Sequence, residues 1–404
     1  MNACIIAYTD YELDFRVRRY AELLADGKNR IDVIALRDRS GESFSTLNGV
    51  NIHKIQERTY RETGLASYLK NYICFMVSGS ILLTRMYFRH RYEIIHVNNV
   101  PDFLVFMALI PRLFGAKIIL DIHDVLPEFY CKKFGKEMDS RLARLLLLVE
   151  RLSIKFSHHV IAANDIWREK LIARNRLNPL HCTTLLNYPV MKFFEDNEVI
   201  SKGDEFHIIY PGTLSHQHGV DILIRAMAIV KREDKNIHLD IYPLANVSAI
   251  RRQLEELIIT LNVEDIVHFQ ETVRPEKLGN IFRNADMGVV PKRGGGFTEE
   301  AFSSKIFEYM AAGIPVIASR TRIDTYYFDD SLIKFFTPED HNDLAKCIME
   351  LYLDPGKRNL LVENGEKYIE NNTWEVKKVL YSDIVRDLCK AKPRGPLHPP
   401  AHSS

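Results

Sequence analysis

Gly294-Gly-Gly-Phe-Thr-Glu-Glu-Ala-Phe-Ser-Ser-Lys-Ile-Phe-Glu-Tyr-Met-Ala-Ala-Gly-Ile-Pro-Val-Ile-Ala-Ser319 follows an apolar run at 287–290, opens on three glycines and continues through a helical pattern. It stops at Gly313, before a second apolar run at 316–318. Strand, glycine-rich turn, helix and strand form the unit of a parallel sheet, because parallel neighbours need a crossover and a helix supplies one. A glycine-rich loop feeding a helix N-terminus also presents unpaired backbone N–H groups and the positive end of the helix dipole, which suits a phosphate or pyrophosphate.

The same alternation continues outward in both directions. Apolar runs at 4–8, 32–36, 93–97, 117–121 and 160–163 are separated by helical patterns such as 16–24 and 141–156. After a polar interval at 192–205 the signal restarts at 207–210, 238–242 and 267–269. The expected class is α/β, with two doubly wound Rossmann-like domains facing across a cleft, since ligands of such sheets bind outside the carboxyl ends of the strands. The expected boundaries are 1–188 for an N-terminal domain and 189–375 for a second domain. A C-terminal helix at 376–391 can return to the first domain, and 392–404, rich in Pro, Gly, His and Ser, reads as a disordered tail. The hinge falls near Asn187 and Pro189, where proline biases Tyr188 toward an extended conformation.

Composition excludes several classes. In 404 residues, 54 Lys+Arg stand against 53 Asp+Glu for a formal net charge of +1, with 46% hydrophobic and 26% charged residues. These are values of a globular chain, and the near-zero balance gives no long-range attraction to nucleic acid. Six scattered cysteines (Cys4, Cys74, Cys131, Cys182, Cys347, Cys389) make no CxxC pair and no zinc spacing, so they read as reduced thiols. The N-terminal apolar run is too short for a secretory signal, which makes a cytoplasmic protein the default. The longest uncharged stretch, 72–84, falls below the roughly 17–25 residues needed to cross a bilayer.

Glu300 and Glu308 stand eight residues apart, which places them about 80° out of phase on one regular helix. The spacing makes better sense with Glu300 in the loop above the helix and Glu308 within it. One carboxylate then reaches hydroxyls near the phosphate, and the other reaches hydroxyls about two turns away.

This pattern, followed by Tyr-Met-Ala-Ala-Gly-Ile-Pro-Val-Ile-Ala-Ser, resembles the E-x7-E signature of the retaining nucleotide-sugar glycosyltransferases of family 4, which have the GT-B fold. The similarity extends to Tyr210-Pro-Gly-Thr-Leu-Ser-His-Gln-His-Gly-Val-Asp, to Ile95-His-Val-Asn-Asn-Val-Pro-Asp, to Leu120-Asp-Ile-His-Asp-Val-Leu-Pro-Glu and to Asp14-Phe-Arg-Val-Arg-Arg. These segments span nearly the whole chain in the expected order. The resemblance implies that Glu308 holds the donor ribose and Glu300 the donor sugar, with Ser303, Ser304 and Lys305 at a helix start beside the diphosphate. Gly212, Gly295, Gly296 and Phe297 complete the expected donor side. Family members commonly carry arginine and lysine where this chain has Thr213 and His218, which leaves Lys305 and Arg293 to compensate. The resemblance also implies that no metal or other cofactor is needed, in keeping with acidic pairs such as Asp329 with Asp330 that lack a D-x-D spacing. Backbone amides and Lys305 then neutralise the developing nucleoside diphosphate.

His123 follows a strand end, and in the resembling enzymes a residue here contacts the donor sugar; the alternative is a turn histidine hydrogen-bonded to Asp121 or Asp124. Asn99 and Asp102, with Asn98, either contact the acceptor or merely form a turn. Asp14 and Arg16 are further acceptor-side candidates. Two basic, apolar segments, 68–91 and 141–151, admit an interfacial reading on an anionic membrane and a plain reading as helices packed on the sheet.

The expected reaction is therefore transfer of a sugar, with retention, from a UDP- or GDP-sugar to the hydroxyl of a carbohydrate or lipid-linked acceptor, in polysaccharide or glycolipid assembly. Its expected place is the cytoplasm, with a peripheral position on the inner face of a membrane left open. A nucleotide-sugar epimerase of the same architecture and a non-catalytic nucleotide-sugar-binding protein are the alternatives. A nicotinamide-dependent dehydrogenase is excluded, because no G-x-G-x-x-G follows the first strand.

Overall fold

A computed structural model describes residues 1–25, 27–37, 41–57, 65–194, 205–234, 236–243, 248–272 and 278–390. The tail expected at 392–404 lies outside the described residues. The chain divides into two compact units, Met1–Leu185 with Lys378–Ser404, and Leu186–Lys377. The division thus falls between Leu185 and Leu186, just before the segment from Asn187 to Pro189 expected to act as hinge.

The first unit holds a sheet of eight strands: β1 (Asn2–Ile6), β2 (Arg30–Arg37), β3 (Phe44–Leu47), β4 (Val50–Glu57), β5 (Ile94–Asn98), β6 (Lys117–Ile122), β7 (His159–Ala162) and β8 (Cys182–Thr184). Their order is β3-β4-β2-β1-β5-β6-β7-β8, and every pairing is parallel except the β3–β4 hairpin. Strands such as β1 and β5 are buried on both faces, which is why they read as continuous apolar runs. Three strands escape that signal. β4 alternates buried and half-buried residues, β3 lies exposed at the edge, and β8 is three residues long.

The second unit holds six parallel strands: β9 (Phe206–Gly212), β10 (Ile237–Pro243), β11 (Val267–Phe269), β12 (Met287–Val290), β13 (Val316–Ser319) and β14 (Lys334–Phe336), in the order β11-β10-β9-β12-β13-β14. Successive crossovers run outward from β9 in one direction and from β12 in the other. The boundary between these two strands is therefore the topological switch point, beyond whose carboxyl end ligands of doubly wound sheets bind.

Helix Trp374–Lys390 is the last element among the described residues and belongs to the first unit from Lys378 onward. Its Tyr381, fully buried, donates or accepts at 2.8 Å with His96 Nδ1 on β5 and lies 4.5 Å from the ring of Tyr20.

The single helix expected after the three glycines is two helices, Phe297–Glu300 and Ser304–Ala311. Lys292 Nζ donates to the Ala301 carbonyl at 2.8 Å, taking the acceptor that the Lys305 amide needs for an unbroken helix. Glu300 thus ends a one-turn helix rather than sitting in a loop, while Glu308 is inside the second helix as expected.

Candidate functional site

At the switch point of the second unit, β9 ends at Gly212 and the segment 291–303 leaves β12 beside it. Gly212 has a φ of +155°, and a Cβ there would stand 2.5 Å from Lys305 Cε and 2.9 Å from its Nζ. The lysine amine therefore lies directly over the strand end, 5.5 Å from the centroid of the Tyr210 ring. Only glycine lets the two approach.

Lys305 sits in the first turn of Ser304–Ala311, where a cation opposes the helix dipole. Glu308, one turn on, faces it. Burial pushes the Glu308 carboxyl up while Lys305 and Ser304 oppose that shift; burial pushes the Lys305 amine down while Glu308 opposes it. Ser303 caps the helix by position only, without a side-chain hydrogen bond to its first amides. A half-buried cation, uncapped amides and a carboxylate are thus brought together with Gly212, an arrangement suited to an anionic phosphate joined to a hydroxyl-bearing group.

His218 stands on the same rim. Its Nδ1 donates to the Thr213 carbonyl at 2.7 Å and lies 3.1 Å from Ser215 Oγ. Burial, reinforced by the Lys305 charge, lowers its pKa to about 4, so the imidazole is neutral near pH 7. It therefore adds no positive charge to this rim. The next residue, Gly219, has φ +66°, and a Cβ there would be 1.9 Å from the Pro291 carbonyl oxygen, so only glycine seats this turn against the loop after β12.

Arg293, expected to compensate for Thr213, is committed elsewhere. It grips Asp221 through both guanidinium nitrogens at 2.7 and 2.9 Å and donates to the His216 carbonyl at 2.6 Å. The Gly295 amide is also occupied, since Glu299 accepts from it at 2.8 Å and from the Arg322 amide at 2.8 Å. Gly296, at φ +60°, and Phe297 form the turn into the one-turn helix, and Glu300 meets Arg322 at 3.0 Å. The glycine loop is therefore shaped by its own carboxylates, and the uncapped amides lie at Ser304–Ala311 instead.

Lys292 was not apparent in the sequence. It is buried and makes an ion pair with Asp324 at 2.8 Å, and Thr321 donates to the same carboxylate at 2.8 Å. Together with its bond to Ala301, the pair fixes the break that positions Ser304 and Lys305. Its signal was a lysine two residues beyond the apolar run at 287–290; its partner lies 32 residues on.

In the first unit, β6 runs into His123. His123 Nε2 is 3.0 Å from Asp121 Oδ2 and 3.2 Å from Asn98 Oδ1, both acceptors, so this nitrogen carries the proton. Asp121 is fully buried, and Arg16 holds it through two bonds of 2.7 and 2.8 Å while donating to the Leu185 carbonyl at 2.8 Å. Burial alone pushes the Asp121 carboxyl up, but Arg16 and His123 outweigh it and hold the group well below the usual carboxylate range. His123 is 22% exposed, so its ring is oriented from behind and still open to a ligand.

The acceptor-side candidates take structural places. Asn99 Oδ1 accepts from the His123 amide at 2.7 Å, and its Nδ2 donates to the Asp124 carbonyl and to Asp102, so it locks the turn. Asp102 is buried behind it, its pKa pushed up to about 7 by desolvation and by Glu150. Asp14 caps helix Phe15–Leu24 by accepting from the Val17 amide, and Arg16 is spent on Asp121. The turn reading accounts for Asn99 and Asp102, because a polar group buried at a strand exit must bond to backbone.

Among the described residues no three His, Cys, Asp or Glu side chains are grouped to hold a metal ion, and no helix is long and apolar enough to cross a membrane.

Two family profiles match: "Glycosyl transferase 4-like domain" over residues 14–187 and "Glycosyl transferases group 1" over residues 192–368. An uncharacterized glycosyltransferase of Methanocaldococcus jannaschii is 22% identical over 373 residues, covering 88% of this chain and 89% of the relative. Among solved structures, sucrose-phosphate synthase from Thermosynechococcus elongatus superposes with a TM-score of 0.78 at 20% identity, covering 96% of this chain and 98% of the other. HepE from Anabaena, in complex with UDP and glucose, gives 0.71 at 14% identity over 95% and 98%.

Proposed function

We infer the reaction from the family: the chain belongs to the GT-B glycosyltransferases of the family 4 type, with one family profile on each half. Its donor is a nucleoside diphosphate sugar, UDP- or GDP-linked, and its acceptor a hydroxyl of a carbohydrate or lipid-linked sugar in polysaccharide or glycolipid assembly. The lipid-linked case sets the enzyme at the inner face of a membrane.

The observation that carries this reading is Lys305 lying over the end of β9 at Gly212, with uncapped helix amides and Glu308 beside it. Glu308 accepts from the ribose hydroxyls, Glu300 from the donor sugar, and Lys305 with the Ser304–Ala311 amides binds the diphosphate without a metal. In the transfer step the bond from the anomeric carbon to the diphosphate oxygen breaks, and the acceptor oxygen bonds to that carbon on the same face. The acceptor proton passes to the departing phosphate oxygen, so configuration is retained and no protein nucleophile is needed. Charge builds on the leaving diphosphate, and Lys305 and the fixed amides stabilise it more as the bond breaks. In the first unit His123 is oriented by Asp121. A second reading, donor binding without turnover, is favoured by the neutral His218 and by Thr213.

Calorimetric titration with UDP, GDP, ADP and their sugar conjugates, with and without EDTA, tests the proposal. One nucleotide should bind insensitively to EDTA, and Glu308→Gln should weaken it about tenfold or more, at roughly 1.5–3 kcal/mol per charge-assisted bond. No binding of any nucleotide, or an unchanged affinity in the variant, overturns the donor assignment. Binding without transfer across a panel of acceptors selects the second reading.

A further inference from the structure

We propose that the first unit carries a membrane-docking face, built from helices Leu65–His90, Leu109–Leu113 and Arg141–Phe156, whose partner is an anionic lipid bilayer. It deepens the reading of a lipid-linked acceptor, and rests on that reading for its purpose but not for its test.

The long helices pack on one side of the first sheet. Phe75 and Leu83 from one and Ile154 from the other join a single core cluster with Ile95, Leu120 and Val160 of the strands. A crossover helix that has buried its apolar stripe ordinarily turns a polar face to water. These do not. On Leu65–His90, Ile73, Val77 and Ile81 follow one another at four-residue steps on the solvent side, between 43% and 52% exposed. On Arg141–Phe156, Leu145, Leu148 and Leu152 form a second stripe at i, i+3 and i+7, between 48% and 57% exposed. The short helix between them in sequence presents Leu109 and Leu113 and leads into exposed Phe114. Phe114 meets exposed Phe88 at 5.3 Å between ring centroids, and the Arg112 guanidinium lies 4.6 Å from the centroid of Phe156, so the three elements share one surface. Scattered exposed leucines need no explanation, but stripes on adjoining elements do.

Charge identifies the partner. Leu65–His90 contains no Asp or Glu, and it exposes Lys70, Arg85 and Arg89. On Arg141–Phe156, Arg141, Arg144, Arg151 and Lys155 are all exposed and fall within an arc of about 80° that overlaps one edge of the leucine stripe. The one acid of that helix, Glu150, is buried and bound to Arg174 and Asn175. The whole chain carries only +1, so this is a local concentration of cations. An interface offering both hydrocarbon and phosphate satisfies stripe and flank together. A second copy of the chain would instead set like charge against like across a two-fold axis.

The full chain should co-sediment with phosphatidylcholine vesicles that contain phosphatidylglycerol, weakly with phosphatidylcholine alone, and less in high salt. A cation within a Debye length of such a surface changes partition roughly fivefold, so Arg141→Glu/Arg144→Glu/Arg151→Glu should lower it by about 100-fold or more. Leu148→Asp with Ile81→Asp should do likewise through the apolar contact. Ile259→Asp, an exposed apolar site in the second unit, should change nothing. Thermal melting and nucleotide titration of each variant separate lost docking from lost folding or lost donor binding. Equal binding to neutral vesicles, no binding of the unmodified chain, or a concentration-dependent dimer that Leu148→Asp dissociates would each overturn the proposal.

Discussion

Asp121→Asn tests how the first unit holds its candidate histidine. The substitution keeps the size of the side chain and removes its charge. In the native chain that carboxylate, itself fully buried, takes two Arg16 bonds of 2.7 and 2.8 Å and one from His123 at 3.0 Å. Arg16 is 5% exposed and cannot shed its proton, so the variant removes the negative charge that balances a buried guanidinium, which also donates to the Leu185 carbonyl. Breaking a buried pair from one side costs about 3–5 kcal/mol, a large part of the 5–15 kcal/mol that holds a typical domain. Asp121→Asn combined with Arg16→Met should recover at least about 2 kcal/mol of the summed single losses, because no uncompensated charge remains. The chain has two tryptophans, Trp167 in the first unit and Trp374 in the second, so in a Trp374→Phe background urea unfolding followed by fluorescence reports the first unit alone. Because the folded carboxyl is held below its unfolded value near 3.9, its contribution is complete above that pH and lost as pH falls through the folded value. The native unit should therefore show an acid limb that the variant lacks. A loss under about 1 kcal/mol at pH 7, or strict additivity in the double variant, would refute the argument that Asp121 is the charge on which Arg16 and His123 depend.

Gly212→Ala should act at a distance from its own backbone. The new Cβ would require Lys305 to move about 1 Å, and misplacement on that scale costs on the order of 100-fold in rate; an unchanged transfer rate in folded variant would remove Lys305 from the chemistry. Thr213→Arg with His218→Lys should tighten nucleoside diphosphate binding about tenfold or more, since Thr213 is exposed and the native imidazole is neutral above about pH 4. Calorimetry showing no gain would mean that the diphosphate does not lie beside this rim.

What the sequence disclosed follows from how each feature is encoded. Strands buried on both faces announce themselves as apolar runs, so β1, β5, β6, β9 and β12 were legible. β4 was not, because Val-Asn-Ile-His-Lys-Ile-Gln-Glu alternates where the others are continuous, and β14 has three residues. The stretch from Gly294 to Ser319 pointed to the candidate site of the second unit because glycine, carboxylate and strand signals fall within one local window. Lys292 with Asp324, and Arg16 with Asp121, were hidden for the opposite reason: 32 and 105 residues separate partners whose meaning lies only in their pairing. Arg293 shows the converse error, since a cation beside a glycine loop looks available until Asp221 is seen to hold it.

The closing helix bears on the order of events during synthesis. Tyr381 completes a buried cluster with Tyr20 and His96, from which it is separated by 361 and 285 residues of chain. At roughly 5–20 residues per second the ribosome makes His96 and then takes about 15–60 seconds to reach Tyr381. From the synthesis of β8 onward the first unit has its sheet but not its last wall, with Tyr20 and the back of β5 uncovered while the second unit emerges. A nascent chain stalled before residue 378 should accordingly engage a trigger-type holdase through this face, and release should coincide with the arrival of the last helix.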